Sequence, residues 1–283
     1  MTNRENELQV ESEMEDLKTV LLDENEANIT IGTSSVIGQR PQQQDAIRTD
    51  TKDSYLETGK IISVLCDGMG GLTSGEKASA LCSSIVYDAF HSEVEFPSIP
   101  VFYEAVIPLA DAEVRKMKTE DGAPIKNAGT TLVSVVVEDG NLYWASVGDS
   151  RIYLIRNHEI LCITKDHNLR MLLEEKVKRG VITQEEVENN SKKEALISYI
   201  GMGGVSYVDM NNKPFPLLDG DYLVLCSDGL YRSVSEQEIK RTVCKFGTET
   251  QFAAEALTEL AIGKKLKNQD NTSVVIIHYQ DSG

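Results

Sequence analysis

Residues 130–156 read TTLVSVVVEDGNLYWASVGDSRIYLIR. Three short runs rich in β-branched residues, Thr130 to Glu138, Leu142 to Val147 and Arg151 to Arg156, are interrupted by Asp139-Gly140-Asn141 and by Val147-Gly148-Asp149-Ser150-Arg151. An Asp-Gly-Asn step between two such runs is a hairpin signal, and the glycine-aspartate break that joins the second run to the third reads as another turn. Consecutive hairpins predict antiparallel sheet. Working outward, further strand candidates are Ile29 to Ile37, Ile61 to Cys66, Ile160 to Thr164, Ser206 to Asn211, Tyr222 to Cys226 and Ser273 to Tyr279. Helical periodicity falls in two pairs, Gly75 to Glu93 with Val101 to Lys118 and Gln237 to Cys244 with Thr250 to Lys265, while Leu169 to Lys178 and Gln184 to Ser191 stand apart. Strands in meanders and helices in separate pairs do not suit a doubly wound parallel sheet. They predict an α+β domain of antiparallel sheets covered by helices.

Composition narrows the classes. A chain of 283 residues with 41% hydrophobic content can bury a continuous core, so disorder is excluded for most of it. A net charge of -17 argues against a nucleic-acid partner, because phosphate neutralisation needs clustered Lys and Arg. The cysteines Cys66, Cys82, Cys162, Cys226 and Cys244 are far apart and lack paired metal-ligand spacing, as expected of reduced core thiols in a cytoplasmic protein. Apolar runs such as Thr131 to Val137 and Val274 to Tyr279 are far too short to span a bilayer, and no basic-apolar signal region opens the chain, so no membrane association is expected.

Residues 1–28 differ from the rest, with nine acidic side chains against Arg4 and Lys18. Val10, Met14, Leu17 and Leu21 recur there at helical spacing, which allows a docking amphipathic helix; a frayed, solvated tail is the alternative, favoured because so short a helix is marginal alone in water. From residue 29 to residue 283 no Pro-, Gly- or Ser-rich boundary intervenes, and one domain is expected.

Two apolar runs end in Asp-Gly: Ile61-Ile62-Ser63-Val64-Leu65-Cys66-Asp67-Gly68 and Tyr222-Leu223-Val224-Leu225-Cys226-Ser227-Asp228-Gly229. Asp149 and Asp270 also lie beside glycine or in a polar turn at a strand end, and Asp45 follows the polar loop Arg40-Pro41-Gln42-Gln43-Gln44. Singly, each aspartate reads as a turn former or helix cap. Together they do not, because carboxylates at the ends of central strands repel unless a cation joins them. Oxygen donors without His or Cys at ligand spacing favour Mg²⁺ or Mn²⁺. Asp67 is the best bridging candidate, since Gly68 behind it exposes a carbonyl oxygen as a further hard donor, and Arg40 has the planar fork that suits a phosphoryl group. Cys66 and Cys226 flank these positions but belong to apolar runs, as inert thiols do.

The order Gly38-Gln39-Arg40 with Asp45, Asp67-Gly68-Met69-Gly70-Gly71, Gly129-Thr130-Thr131, Val147-Gly148-Asp149-Ser150-Arg151, Ser227-Asp228-Gly229-Leu230 and Asp270-Asn271-Thr272-Ser273 resembles the type 2C metal-dependent serine/threonine protein phosphatases, over about Ile29 to Tyr279. Gly70, where other members carry His after Asp-Gly-Met, resembles the bacterial branch. The resemblance implies a four-layer α/β/β/α sandwich, two antiparallel sheets flanked by helix pairs. It implies that Asp67 bridges two Mn²⁺ or Mg²⁺ ions, that Asp228 and Asp270 complete one and the Gly68 carbonyl joins the other, and that Asp45 holds a metal-bound water. Arg40 would bind the phosphoryl group, and Asp149, with Asp228, would contribute to a weaker third ion. The implied reaction is direct attack of a metal-bridging hydroxide on phosphoserine or phosphothreonine of a protein substrate, reversing a Ser/Thr kinase.

Two departures from the family pattern bear on this. Gln43-Gln44 replaces the usual Asn-Glu before Asp45, which removes an outer carboxylate, and Leu72 stands where bacterial relatives often carry a histidine that would serve as general acid. They keep a non-catalytic phosphoprotein-binding module with the same fold in play as the alternative. A metal-dependent phosphodiesterase fits the metal chemistry but neither the acidic composition nor the motif order. Thr164 through Gly201 corresponds to the mobile flap of bacterial members, taken as about 165–201; His167 reads as a helix-start residue, and Lys176, Lys178 and Arg179 read as charge that meets acidic substrates or as a solvated face. A monomer is expected.

Overall fold

The computed structural model describes residues 28–70, 74–119, 121–125 and 128–281. The expected N-terminal helix and Leu72 lie outside them. One sheet contains, in order, β10 (Phe215–Pro216), β6 (Asn141–Val147), β5 (Leu132–Glu138), β3 (Lys60–Met69) and β2 (Asp45–Thr49), with β4 (Gly129–Thr130) on β3 and β9 (Asp209–Met210) on β6. The other contains β1 (Asn28–Val36), β12 (Thr272–Gln280), β11 (Asp221–Cys226), β7 (Arg151–Arg156) and β8 (Glu159–Cys162). These neighbours pair antiparallel throughout.

Strand alternation assembles the layers. On β3, Ile61 and Leu65 point between the sheets, where they meet Val133, Val135, Ile152, Leu154, Leu223, Leu225, Val275 and Ile277. Ile62, Val64 and Cys66 point the other way, onto α2 (Ser74–Phe90) and α3 (Ile99–Arg115) through Ala78, Cys82, Val86, Phe102 and Val106. The second sheet does the same, and Tyr153, Val224, Val274 and Ile276 pack on Ile239 and Val243 of α7 (Glu236–Phe246) and on Ala253, Leu257 and Ala261 of α8 (Thr250–Gly263). The result is the expected four-layer α/β/β/α sandwich. Strands buried on both faces explain their nearly continuous apolar sequence.

β5 and β6 form the predicted hairpin about Asp139-Gly140, but β6 does not pair with β7. The Gly148-Asp149-Ser150 break instead carries the chain from one sheet to the other, and Gly148 takes a φ of 104° to do so. A hairpin turn and an inter-sheet crossing have the same local signature. They differ in consequence, since the crossing places Asp149 at the mouth between the sheets.

Sequence periodicity also passed over β2, β10, α1 (Lys52–Thr58) and α6 (Asp228–Tyr231), all short; α1 buries only Tyr55, so it has no apolar stripe to read. The expected strand Ser206 to Asn211 contracts to Asp209–Met210.

Between β8 and β9 run α4 (Leu169–Lys178) and α5 (Gln184–Glu188), the latter opened by a Thr183/Glu186 capping box. Arg170 ties this region together, with Nη1 donating to Glu188 Oε1 at 2.7 Å and Nη2 to Glu194 Oε1 at 2.9 Å. Its C-terminal end is held by the buried carboxylate of Asp111 on α3, which accepts from the backbone N–H groups of Gly201 (2.7 Å), Gly203 (3.2 Å) and Gly204 (2.7 Å). Asp111→Ala leaves those donors unpaired. It is expected to lower unfolding free energy by about 3 kcal/mol in urea denaturation, and an unchanged midpoint would count against this anchor.

Candidate active site

The aspartates converge because strand register and the inter-sheet crossing bring them to one end of the sandwich. Asp45 is the first residue of β2 and lies directly opposite Asp67 on β3. The sequence sets Asp45 just after a polar loop, as found, and Asp67 at a strand end; the strand in fact continues through Gly68 and Met69, which pair with Thr130 and Gly129. The Asp67 backbone is clamped by the Gly129-Thr130-Thr131 run. Its N–H donates to Thr131 Oγ1 at 3.0 Å, and its carbonyl accepts from Thr131 N at 2.8 Å and Thr130 Oγ1 at 3.0 Å. Thr131 Oγ1 also bonds Ser150 Oγ at 2.7 Å, which couples the Asp67 strand to the Asp149 turn. Gly68 is required by close approach, since a Cβ there would lie 2.1 Å from the Gly75 carbonyl oxygen.

Asp228 is not a strand end either but the first residue of α6, after the N-cap Ser227. Ser227 Oγ donates to Asp45 Oδ2 at 2.8 Å, joining the two sheets at the site. Asp270 precedes β12, and its Oδ2 accepts from Arg40 Nη2 at 2.5 Å. The loop bearing Arg40 is strapped by Asn271, whose Oδ1 accepts from Gln44 N at 2.8 Å while Nδ2 donates to the carbonyls of Ile37 and Gln42 at 2.9 and 3.0 Å. Nothing in the local sequence Asp270-Asn271-Thr272-Ser273 signals this role for Asn271. Gln43, in place of the usual Asn, accepts from Asp45 N through Oε1 at 3.1 Å.

A cavity of about 430 Å³ opens here, and Arg40, Asp67, Gly68, Asp149, Asp228 and Asp270 all line it. Asp45 stands behind them, with its Oδ1 inaccessible and without a hydrogen-bond partner; Asp228 Oδ1 is likewise buried and unpartnered. Burial pushes the Asp67 carboxyl well above the ordinary carboxylate range, and the charges of Asp45, Asp228, Asp149 and Asp270 push it further. Burial also raises Asp45 and Asp149 to about 7. Among the described residues no three His, Cys, Asp or Glu side chains already stand as a ligand group for one ion. The cavity is lined by carboxylates and by the backbone of Gly68, and Arg40 and Arg232 sit on Asp270 and Asp228. All-oxygen donors with two orphaned, buried carboxylate atoms fit hard divalent ions.

His167 is not a helix-start residue. It precedes the α4 N-cap Asn168, and its Nδ1 accepts from Gly148 N at 3.1 Å while its own N–H donates to the Gly148 carbonyl at 2.8 Å. This pair pins the Asp149 turn, and burial lowers the His167 pKa, which suits an accepting imidazole. Glu194 and Leu196 face the cavity from the segment between α5 and β9, whereas Lys176, Lys178 and Arg179 are exposed and do not line it. Arg232 escaped the sequence reading as well. The signal lay in Asp228-Gly229-Leu230-Tyr231-Arg232, an acid-base pair four residues apart, which becomes a contact once Asp228 starts a helix.

A double antiparallel sandwich with an aspartate-ringed cavity at the sheet ends and an arginine at its rim is the architecture of a metal-dependent phosphatase. The family model described as Protein phosphatase 2C matches residues 31–269, and the chain belongs to that family. It is 29% identical over 219 residues to the serine/threonine phosphatase stp of Listeria monocytogenes serotype 4b, covering 76% of this chain and 83% of that protein. Among solved structures it is similar to the S. agalactiae serine/threonine phosphatase, with a TM-score of 0.74, 28% identity and coverage of 88% and 98% of the two chains. It is also similar to the catalytic domain of the serine threonine protein phosphatase PstP in complex with 2 manganese ions, with a TM-score of 0.69, 26% identity and coverage of 90% and 100%.

Proposed function

We propose that residues 29–283 form a Mn²⁺- or Mg²⁺-dependent protein phosphatase that removes phosphate from serine and threonine in proteins. The observation that carries this reading is the pair of orphaned, buried carboxylate oxygens on Asp45 and Asp228 beside Asp67. Asp67 would bridge two ions, with Asp228 and Asp270 on one, the Gly68 carbonyl on the other, and Asp45 acting through a water. When bound, the ions supply a hydroxide nucleophile at neutral pH and neutralise charge on the phosphoryl oxygens. The chain's own residues do the rest. Thr130 and Thr131 hold the Asp67 backbone, Ser227 orients Asp45, and Asn271 fixes the loop from which Arg40 reaches the cavity.

Arg40 is half exposed, at 51% of its side chain, so it can leave Asp270 for a phosphoryl group. Arg40→Ala is expected to lower kcat/KM on a phosphothreonine peptide by about 10- to 100-fold, with the larger part in KM; Arg40→Lys should recover part of it. Equal kcat/KM in the Ala variant and the parent would remove Arg40 from substrate binding.

The defining experiment is phosphate release from a phosphothreonine peptide titrated with Mn²⁺, compared with a phosphodiester. Release from the peptide that depends on the metal is the expected result. Peptide binding without turnover at saturating Mn²⁺ would instead assign the non-catalytic binding module. A Ser/Thr kinase that supplies the substrate, a monomeric state and a cytoplasmic setting belong to the same reading. The -17 charge supports the absence of a nucleic-acid partner, and no helix among the described residues is long and apolar enough to cross a membrane.

A further inference from the structure

Arg232 occupies the corner of the site that the family resemblance gives to a weaker third ion. Its Nη2 lies 2.9 Å from Asp228 Oδ2 and 3.3 Å from Asp149 Oδ2, so one nitrogen spans two carboxylates from different elements. The guanidinium is 47% exposed, so what holds it is its position between two carboxylates rather than burial. Arg232 N donates to the Asp228 carbonyl at 3.0 Å, at the C-terminal end of α6, which sets the stem four residues beyond its carboxylate partner.

Its neighbours fix the other partner. Tyr231 Oη donates to the Asp149 carbonyl at 2.9 Å, and the Tyr231 ring is covered by the Arg151 guanidinium 3.7 Å from its centroid. Arg151 in turn forks onto Asp166 at 2.9 and 2.7 Å, and His167 holds Gly148 from the far side. Asp149 is only 5% exposed and Asp228 8%, so their shared negative charge is poorly screened by solvent. An arginine is charged at every accessible pH, and a divalent ion placed between the same oxygens would have to expel it against both hydrogen bonding and like-charge repulsion.

We propose that Arg232 is a built-in cation at the Asp149–Asp228 corner that takes the place of a third divalent ion, so that the enzyme saturates with two. The proposal rests on the two-ion phosphatase reading. It makes Arg232 a positioning residue: by neutralising Asp149 and orienting Asp228, it prepares the ligand shared with the main site.

The test is Mn²⁺ titration of the full chain by isothermal calorimetry, with free Mn²⁺ counted by electron paramagnetic resonance. The parent should bind two ions. Arg232→Gln should gain an additional, weaker ion, and the double variant Arg232→Gln/Asp149→Asn should lose it again. Asp149→Asn alone should keep two ions, so the proposal stays exposed to failure even if Arg232→Gln does not fold by circular dichroism. Three ions in the parent, two in a folded Arg232→Gln, or loss of an ion in Asp149→Asn would each overturn the built-in cation. A higher KM for phosphopeptide with an unchanged ion count in Arg232→Gln would overturn it too, assigning Arg232 as a second anion clamp. Failure of the underlying reading looks different, as absence of Mn²⁺ binding by the parent or undiminished binding by Asp67→Asn.

Discussion

Asp67→Asn is expected to lower Mn²⁺-dependent phosphatase activity by on the order of 10³-fold or more, the scale on which loss of one member of a catalytic constellation is felt. The same substitution should make the metal-free protein more stable. Both follow from one fact: burial pushes the Asp67 carboxyl well above the usual range, and the charges of four other aspartates push it further. With ions bound, that negative charge is what a bridging ligand must provide. Without them, folding must either bury that charge or take up a proton to neutralise it, and an amide of the same shape avoids both costs while the clamp from Thr130 and Thr131 to the backbone is unaffected. Activity on p-nitrophenyl phosphate and thermal melts in EDTA read the two effects separately. Retained activity would refute the bridging role, and a melting temperature in EDTA below that of the parent would refute the electrostatic argument.

A second large effect is the pH dependence of stability, which should change sign with metal. In the metal-free protein burial raises the Asp45 and Asp149 carboxyls from 3.8 to about 7. Between those limits the folded chain holds protons that the unfolded chain has released. Each group therefore stabilises the fold fully below pH 3.8 and loses that contribution as pH rises through about 7. One such shift corresponds to about 4 kcal/mol for an isolated group, and repulsion shared within the cluster makes about 2–4 kcal/mol a reasonable total.

His167 works in the opposite direction. Burial lowers its pKa, so its contribution is present above the unfolded value of 6.5 and declines as pH falls through the folded one. The carboxylates outnumber it, and the protein in EDTA should melt higher at about pH 5 than at about pH 8. Divalent ions displace the carboxyl protons, so Mn²⁺ should bind more weakly on acidification and raise the melting temperature most at about pH 8. Melting temperatures in EDTA that climb steadily between those two pH values would sink this account.

Much of this was legible along the chain because strand alternation and turn chemistry are local. The alternation Ile61, Leu65 against Ile62, Val64, Cys66 follows from the two-residue period of a strand, and it predicts a sheet buried on both faces before any partner is known. Asp67, Asp149, Asp228 and Asp270 were recognisable because each breaks an apolar run or sits at its polar end, and Arg40 and Asp45 because their loop has its place in the family's motif order. The short elements were hidden, since α1 buries too few side chains and α6 is too short to leave a period.

What only the folded chain decides is contact between residues distant in sequence. The Gly148 break looks like a hairpin turn until the β7 neighbours, β8 and β11, show that the chain has changed sheets. That crossing sets Asp149 beside Asp228, and the helical start at Asp228 carries Arg232 onto both. The candidate acidic ligands were legible in the residue order, because a carboxylate beside a glycine or in a polar turn is a local chemical fact. Their pairing with Arg40 and Arg232 was not, nor the hold of Asn271 on the Arg40 loop and of His167 on Gly148, because hydrogen bonds and ion pairs depend on distances that two packed sheets set and no stretch of sequence contains.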